Sequence, residues 1–373
     1  MSTTMSPPEQ PLVDGLAEPL QVLDPTGSRH PCPPLDEHLG DVDENLLTDL
    51  YIDMAVIRRI DHEAVALQRQ GELGLWPPLL GQEAAQIGLG RALAPTDFIF
   101  SSYREHGLAW CRGVIPSELL SVWRGTTFSG WDPHERHMAT PQIIIGAQAL
   151  HATGYAMATA AQGGQEIAVA CFGDGATSEG DVNEAMVFAA TFDAPVVFFC
   201  QNNQYAISEP VTVQTTVPIA LRPTGFGIPA LRVDGNDVLA VRAASLLAAR
   251  RARAGGGPTF IEAVTYRMGA HTTSDDPTRY RDDAELERWQ RRCPVRRLER
   301  HLEQLGAPVA SIREEATVRA DAVAAELRQA VTTMAPPEPQ TLFDHVYTGE
   351  HPTISRQRAA QEAFAASLAE EQP

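Results

Sequence analysis

The sequence contains no lysine, so each of its 29 basic residues is an arginine. We interpret this first as coding bias and only secondarily as a preference for planar side chains that bind anions. Positive charge is in deficit, because 48 acidic residues give a formal net charge of −19 at pH 7. A chain of this charge is repelled by a phosphate backbone, which argues against nucleic acid as a partner.

Long hydrophobic runs and export signals are also missing. The longest purely apolar runs, such as residues 195–200, fall far below the roughly 20 residues of a membrane-spanning helix. The amino terminus has neither a basic region nor an apolar stretch, so no export signal is visible. We therefore expect a cytoplasmic protein with no membrane partner.

Cysteine is scarce, and its positions lack the spacing of metal ligands. The five cysteines are odd in number and scattered: Cys32, Cys111, Cys171, Cys200 and Cys293. A reducing compartment fits this usage. Hydrophobic residues make up 43% of the chain and charged residues 21%, which is typical of a soluble globular protein. A chain of 373 residues can form one large domain or two ordinary ones.

Two apolar runs end in polar residues that suit a phosphate-bound cation. The run 167–172 leads into a Gly-Asp-Gly turn, and the run 195–200 leads into Asn202 and Asn203. A strand, a turn, a helix and a second strand of this length form one βαβ unit. Its right-handed crossover brings the carboxyl ends of both strands to one edge of the sheet. There Asp174 and Asn203 can offer oxygen ligands to a Mg²⁺ ion that bridges a diphosphate.

The segment between the two runs separates this prediction from an ordinary turn, in which a lone Gly-Asp-Gly is common. Ala185, Phe188, Ala189 and Phe192 recur at helical spacing. This periodicity predicts an amphipathic helix between the two strands, with Asp181 and Glu184 elsewhere on its surface.

The remaining pattern predicts one domain with appended ends. Further helices are expected at about 45–70, 81–93, 146–161 and 238–254, and further strands at 98–101, 231–233 and 259–265. Such alternation indicates an α/β fold, a mostly parallel sheet flanked by helices. We expect an extended N-terminal arm at 1–45, a domain at 46–335 and a C-terminal tail at 336–373, with helical ends.

Several stretches together resemble one known family. They are GQEAAQIG at 81–88, SYREHG at 102–107, the Gly-Asp-Gly motif, NNQYAIS at 202–208, RVDGNDV at 232–238 and TYRMGAHTTSDDPTRYR at 265–281. From about residue 46 to about 347, the chain resembles the alpha subunit of the first component of the 2-oxo acid dehydrogenases, in particular the branched-chain (2-oxoisovalerate) type. The resemblance implies a thiamine-diphosphate-binding fold for 46–335, with thiamine diphosphate and Mg²⁺ as cofactors.

The resemblance also assigns residues to the cofactor. They are Tyr103, Arg104, Ile143, Ile145, Gly173, Asp174, Gly175, Ala176, Asn203, Tyr205, Ile207, Arg267 and His271. Among them, Asp174, Asn203 and the backbone oxygen of Tyr205 are the expected metal ligands. Arg104 and Arg267 are expected on the diphosphate, because a guanidinium fork matches phosphate geometry. The backbone N–H groups after the turn would bind the same group at a helix N-terminus.

Some of these assignments have purely structural alternatives. Arg104 could form a surface salt bridge with the adjacent Glu105. Ile143 and Ile145 equally suit core packing. The role assigned to them therefore depends on the family resemblance and not on the residue types alone.

His271 is the expected catalytic acid or base, since histidine transfers protons near neutral pH. It precedes a polar loop, and the alternative is a merely solvated histidine. Within this loop we expect Arg279 and Arg281 to pair with Asp275 or Asp276 once the loop closes.

The resemblance implies oxidative decarboxylation of a small branched-chain 2-oxo acid, with acyl transfer to the lipoyl group of an acyltransferase core. It implies a beta subunit that completes the site in an α₂β₂ assembly. Two alternatives stay open: a pyruvate or acetoin dehydrogenase alpha subunit, and a non-catalytic partner that only scaffolds a complex. The stretch 142–148 is nearer the pyruvate type, whereas 274–281 is nearer the branched-chain type.

Overall fold

The computed structural model describes residues 13–127 and 129–370. For residues 369 and 370, only the backbone is described. Its strands are β1 (Val13–Asp14), β2 (Phe98–Phe100), β3 (Ala168–Gly173), β4 (Val196–Asn202), β5 (Tyr205–Ala206), β6 (Glu209–Pro210), β7 (Ala230–Asp234) and β8 (Thr259–Val264). Six of them form one parallel sheet in the order β1-β7-β8-β4-β3-β2, and β5 and β6 form a small antiparallel hairpin.

Fifteen helices are assigned within the described ranges. They are α1 (Pro33–Asp36), α2 (Glu44–Arg69), α3 (Glu83–Gly90), α4 (His106–Cys111), α5 (Pro116–Arg124), α6 (Pro133–Arg136), α7 (Ala147–Gln162), α8 (Gly180–Thr191), α9 (Val211–Gln214), α10 (Val238–Arg253), α11 (Asp283–Gln290), α12 (Pro294–Gln304), α13 (Val309–Thr333), α14 (Thr341–Asp344) and α15 (Pro352–Glu370). Short 3₁₀ turns occupy Asp174–Ser178, Ile219–Leu221, Pro223–Phe226 and Pro277–Arg279.

Apolar clusters cover both faces of the sheet. Within β3, Val169 and Cys171 join the cluster that contains α2, α3 and α10, whereas Ala170 and Phe172 join the cluster that contains α7 and α8. Successive side chains of a strand point to opposite faces. Because both faces of β3 are covered, its sequence is a continuous apolar run and not an alternation of apolar and polar residues. The predicted α/β class with helical ends is confirmed.

The segment from Val13 onward packs on the sheet, within the stretch 1–45 for which we expect an extended N-terminal arm. β1 extends the sheet beside β7, and Val22 and Leu23 are fully buried. Their backbone N–H groups both donate to a carboxylate oxygen of Asp237 at 2.7 Å. This packing could not be predicted from the sequence, because the few buried residues of the Pro-rich segment do not recur at the spacing of a helix or a strand. Residues 1–12 of the arm and 371–373 of the tail lie outside the described residues, and the domain bounds stay predictions.

The apolar face predicted for α8 is half wrong. Ala185 and Ala189 are fully buried, but Phe188 and Phe192 are 47% and 56% exposed. The two phenyl rings stack on each other with centroids 6.2 Å apart. The alanine side of α8 packs against the alanine-rich α7, and this close approach leaves no room for phenylalanine between the helices.

Across the described ranges, no helix has both the length and the apolar character needed to span a bilayer. The cytoplasmic location stays a prediction.

Replacing Asp237 by alanine should release the segment around Val22 and lower the free energy of unfolding by about 3 kcal/mol. Besides the two N–H groups of the arm, its carboxylate caps α10 by accepting from the backbone N–H groups of Leu239 and Ala240. Urea unfolding measures the loss, and limited proteolysis should cut within 13–40 sooner than in the wild type. Asp41→Ala, an exposed position, is the control; equal stability of the two variants would contradict this role.

Candidate active site

A cavity of about 480 Å³ lies where β3, β4 and β8 end. Parallel strands place their carboxyl ends at one edge of the sheet, which is where ligands bind in open α/β folds. Every residue assigned to the cofactor from the sequence lines this cavity: Tyr103, Arg104, Ile143, Ile145, Gly173, Asp174, Gly175, Ala176, Asn203, Tyr205, Ile207, Arg267 and His271. The structure therefore brings the predicted site together, while the role of each residue stays a prediction.

Asp174 begins the 3₁₀ turn that follows β3 and is buried. Gln214 donates from Nε2 to its Oδ2 at 2.9 Å. Burial raises the pKa of this carboxyl group, and the hydrogen bond from Gln214 opposes that shift. A buried carboxylate with a raised pKa is a costly group, and a cation beside it would favour the charged form.

Asn203 follows β4 and is also buried. Its Nδ2 donates to Oε1 of Gln82 at 3.2 Å. The Nε2 group of Gln82 is buried and has no hydrogen-bond partner within the described part of the chain. The asparagine is thus held by a side chain that itself has a free donor beside the cavity.

Arg267 lies just beyond β8 and connects three segments of the site. Its Nη1 donates to the backbone oxygen of Tyr205 at 3.1 Å, and its Nη2 donates to the backbone oxygen of Ile207 at 2.6 Å and to the hydroxyl of Tyr280 at 2.8 Å. The carbonyl assigned to the metal is therefore bound to an arginine in this structure. Ile207 has φ 56°, a left-handed conformation that a β-branched residue rarely adopts.

Arg104 is buried rather than at the surface. It donates from Nη1 to the backbone oxygen of Pro78 at 2.6 Å and from Nη2 to the backbone oxygen of His271 at 2.9 Å. The carboxylate of Glu105 instead accepts from Ser102 and Gln201, both at 2.7 Å. The alternative of a surface salt bridge between Arg104 and Glu105 is wrong.

His271 is half-buried and held in one tautomer. Its Nδ1 lies 3.2 Å from Nη2 of Arg104, which can only donate, so Nε2 carries the ring proton. Burial, followed by the positive charges of Arg104 and Arg267, lowers its pKa from 6.5 to about 4. Tyr103 contacts the ring edge-on, with centroids 6.0 Å apart. A freely solvated histidine does not fit these contacts.

The loop after His271 is organised differently from our expectation. Asp275 accepts from the backbone N–H of His271 at 2.7 Å and from the hydroxyl of Tyr280 at 2.6 Å. Arg281 donates to the backbone oxygens of Arg267, Met268 and Gly269. In this structure the fork of Arg281 satisfies carbonyls left free after the last strand, and its pairing with an aspartate once the loop closes stays a prediction.

Ile143 and Ile145 are not core residues. Their exposed fractions are 65% and 41%, and both line the cavity. The core alternative is therefore wrong, and their apolar surface is available to a ligand.

The sequence did not reveal the side chains that support the site, namely the carboxylate of Glu105 and the amides of the glutamines around it. Gln201 joins Glu105 to Gln86, and Gln86 in turn binds the backbone oxygen of Arg104. Gln82 and Gln86 belong to the stretch at 81–88 that carried the resemblance, which was a usable signal. Gln214 lies in no motif, so only the fold reveals that it binds Asp174.

The cavity fits a bound diphosphate and a hard cation. Arg104 and Arg267 form no ion pair within 4.0 Å in the described ranges, so their charge can serve an anion. A Cβ built on Gly175 would lie 2.8 Å from the Cβ of Ala206, so only glycine fits this close turn. No cluster of three or more His, Cys, Asp or Glu residues is found among the described residues, and a cation here would need amide and backbone oxygens.

The lowered pKa of His271 should be visible by titration. In the folded chain, NMR of the imidazole should show protonation near pH 4, and in urea near the ordinary 6.5. Because folding lowers this pKa, its contribution to stability is complete above about 6.5 and is lost as the pH falls toward 4. His271→Gln assigns the signal. A transition at pH 6 or above in the folded chain would contradict the buried contact with Arg104.

Comparison with known proteins finds relatives that match most of the chain. The family model "Dehydrogenase E1 component" matches residues 52–340. The alpha subunit of 3-methyl-2-oxobutanoate dehydrogenase from Mycobacterium tuberculosis is 47% identical over 91% of this chain and 92% of its own. The alpha subunits of pyruvate dehydrogenase E1 from Staphylococcus aureus and Staphylococcus epidermidis are 40% and 39% identical, over 73% and 78% of this chain and 76% and 78% of theirs. This chain belongs to the dehydrogenase E1 component family.

Proposed function

We propose that this chain is the alpha subunit of a branched-chain 2-oxo acid dehydrogenase. It would act in the oxidative decarboxylation of acids such as 3-methyl-2-oxobutanoate and in passing the acyl group to the lipoyl group of an acyltransferase core. The observation that carries the proposal is that one cavity gathers Asp174, Asn203, His271, Arg104 and Arg267, and that neither arginine has a carboxylate partner among the described residues. Relatives named for 3-methyl-2-oxobutanoate match more of the chain, at higher identity, than those named for pyruvate.

Family membership implies thiamine diphosphate as the cofactor. We propose that Mg²⁺ binds together with it. When bound, thiamine diphosphate supplies the electron sink that decarboxylation of a 2-oxo acid requires. Asp174, Asn203 and the backbone oxygen of Tyr205 would hold the metal. Arg104 and Arg267 would hold the diphosphate, together with the backbone N–H groups that follow Gly173.

His271 would act on the substrate as a neutral donor. With Nδ1 occupied by Arg104, the proton on Nε2 is the one available to the cavity. A pKa of about 4 keeps the ring neutral at pH 7. A neutral imidazole can donate a hydrogen bond to a substrate oxygen as negative charge develops there. The proton stays on Nε2 and is not transferred to that oxygen.

A second polypeptide would complete the site. The relatives are named as alpha subunits, which implies a beta subunit, and we propose an α₂β₂ assembly. Within the described ranges the chain forms one large sheet, and one edge of it carries the residues proposed to bind the diphosphate. The partner would therefore bind the part of the cofactor beyond the diphosphate. The retained Asp174, Asn203 and His271 argue against a purely scaffolding role.

Asp174→Ala should abolish binding of thiamine diphosphate in the presence of Mg²⁺, because it removes the only carboxylate among the proposed ligands. The fold should remain, and the unfolding temperature without ligand should not fall, since a buried carboxylate with a raised pKa is itself costly. Calorimetry of cofactor binding tests this, with the exposed Asp181→Ala as the matched control. Unchanged cofactor affinity in the Asp174 variant would exclude the metal assignment.

The purified chain should be inactive with cofactor and Mg²⁺ and should gain activity when a beta partner is added. Assembled enzyme should turn over 3-methyl-2-oxobutanoate with a higher kcat/KM than pyruvate. Robust turnover by the chain alone would overturn the divided site, and a preference for pyruvate would favour the alternative family member.

A further inference from the structure

Apolar residues from outside the strand ends also line the cavity. Leu75, Pro77 and Trp123 contribute its wall. Neither the metal nor the diphosphate assignment uses these residues, and none of them belongs to a stretch that carried the family resemblance.

Trp123 belongs to a buried aromatic cluster with Trp76 and His106. The imidazole of His106 stacks on Trp76, with centroids 3.9 Å apart and an interplanar angle of 17°. Trp123 contacts both rings edge-on, at 6.0 Å and 6.2 Å. The His106 Nε2 donates to the backbone oxygen of Pro77 at 3.0 Å, and burial lowers its pKa to about 3. The cluster therefore stays uncharged at neutral pH.

Hydrogen bonds hold Trp76, on which both other rings of the cluster pack. Nε1 of Trp76 donates to Oδ1 of Asp61 at 2.8 Å, and the same carboxylate accepts the backbone N–H groups of Leu79 and Leu80. Because Trp123 packs against a ring fixed in this way, it cannot move aside cheaply for a larger ligand.

The cluster lies next to His271 in space. The backbone N–H of Trp76 donates to Oγ1 of Thr273 at 3.1 Å, and the N–H of Thr273 donates to the backbone oxygen of Trp76 at 2.9 Å. These two bonds join the segment before Pro77 to the loop of His271. The aromatic cluster is thus joined to the loop that carries His271, and both Trp123 and His271 line the cavity.

The indole of Trp123 is not held there by a hydrogen bond. Its Nε1 is buried and has no partner in the described part of the chain. Buried tryptophans usually find a partner for this group, and an unsatisfied donor lowers stability. Phenylalanine would avoid that cost and keep an aromatic ring against Trp76 and His106, so stability alone does not account for tryptophan here. The property that remains is its size at the cavity wall.

We propose that Trp123 sets the upper size limit for the side chain of the 2-oxo acid substrate. This inference rests on the proposed function and assigns its substrate selection to one residue. The indole closes the apolar end of the cavity, so a short branched chain packs against it and an aromatic chain is excluded. In an apolar pocket, one methylene changes discrimination by about 10- to 200-fold, so removing part of an indole should have a measurable effect.

The test compares Trp123→Leu and Trp123→Phe with the wild type in the assembled enzyme with its beta subunit. The probes are 3-methyl-2-oxobutanoate and the larger phenylpyruvate. The ratio of kcat/KM for phenylpyruvate to that for 3-methyl-2-oxobutanoate should rise about tenfold or more in the leucine variant and less in the phenylalanine variant. Phenylpyruvate should also inhibit turnover of 3-methyl-2-oxobutanoate more strongly in the leucine variant than in the phenylalanine variant, and least in the wild type.

Trp131→Leu is the matched control. Trp131 is buried and donates to the backbone oxygen of Met138, but it does not line the cavity. This variant should lose stability and keep the wild-type substrate ratio. If the leucine variant does not fold, the phenylalanine variant decides.

Two failures can be told apart. A wild-type assembly that binds thiamine diphosphate but turns over no 2-oxo acid would overturn the proposed function and this inference with it. A wild type active on 3-methyl-2-oxobutanoate, together with an unchanged substrate ratio in both Trp123 variants, would overturn only the role of Trp123.

Discussion

The guanidinium of Arg267 is the interaction on which the rest of the candidate site depends. It joins the end of β8 to the β5–β6 hairpin through two backbone oxygens and to the His271 loop through Tyr280. It is almost completely buried and has no carboxylate within ion-pair distance in the described ranges. A buried charge without a counterion is costly. A diphosphate bound beside Arg267, as proposed, would supply the counterion that the folded chain lacks there.

The charge of the whole chain and the charge of the site have opposite signs. A net charge of −19 repels anions at long range, and both a diphosphate and a 2-oxo acid are anions. Screening confines such fields to about 8 Å at physiological ionic strength. A diphosphate held by Arg104 and Arg267, as proposed, would lie within that range, so their attraction for it would be local. Because both residues are arginines, the proposed contacts would have the planar fork that suits phosphate oxygens.

The sequence was sufficient for those parts of the site that depend on local patterns. The runs before Asp174 and Asn203 predict two strands, and the crossover rule places both residues at one edge. It was insufficient where contacts are long-range and involve ordinary residue types. Gln214 reaches Asp174 across 40 positions, and nothing in its neighbourhood marks it. The exposed Phe188 and Phe192 show the same principle, since periodicity finds an apolar stripe but not the width of the space beneath it.

The conformation of Ile207 bears on how a ligand would be received. An L-residue in the left-handed region costs roughly 1–2 kcal/mol, and here the residue has a large side chain that is 58% exposed. That cost is met when the chain folds, because Arg267 holds the carbonyl of this residue. A cofactor that contacts Ile207, as proposed, would therefore meet a hairpin tip already held by Arg267, and little conformational entropy would be lost there on binding. In that case the backbone strain at Ile207 lowers the stability of the fold but preorganises the contact surface.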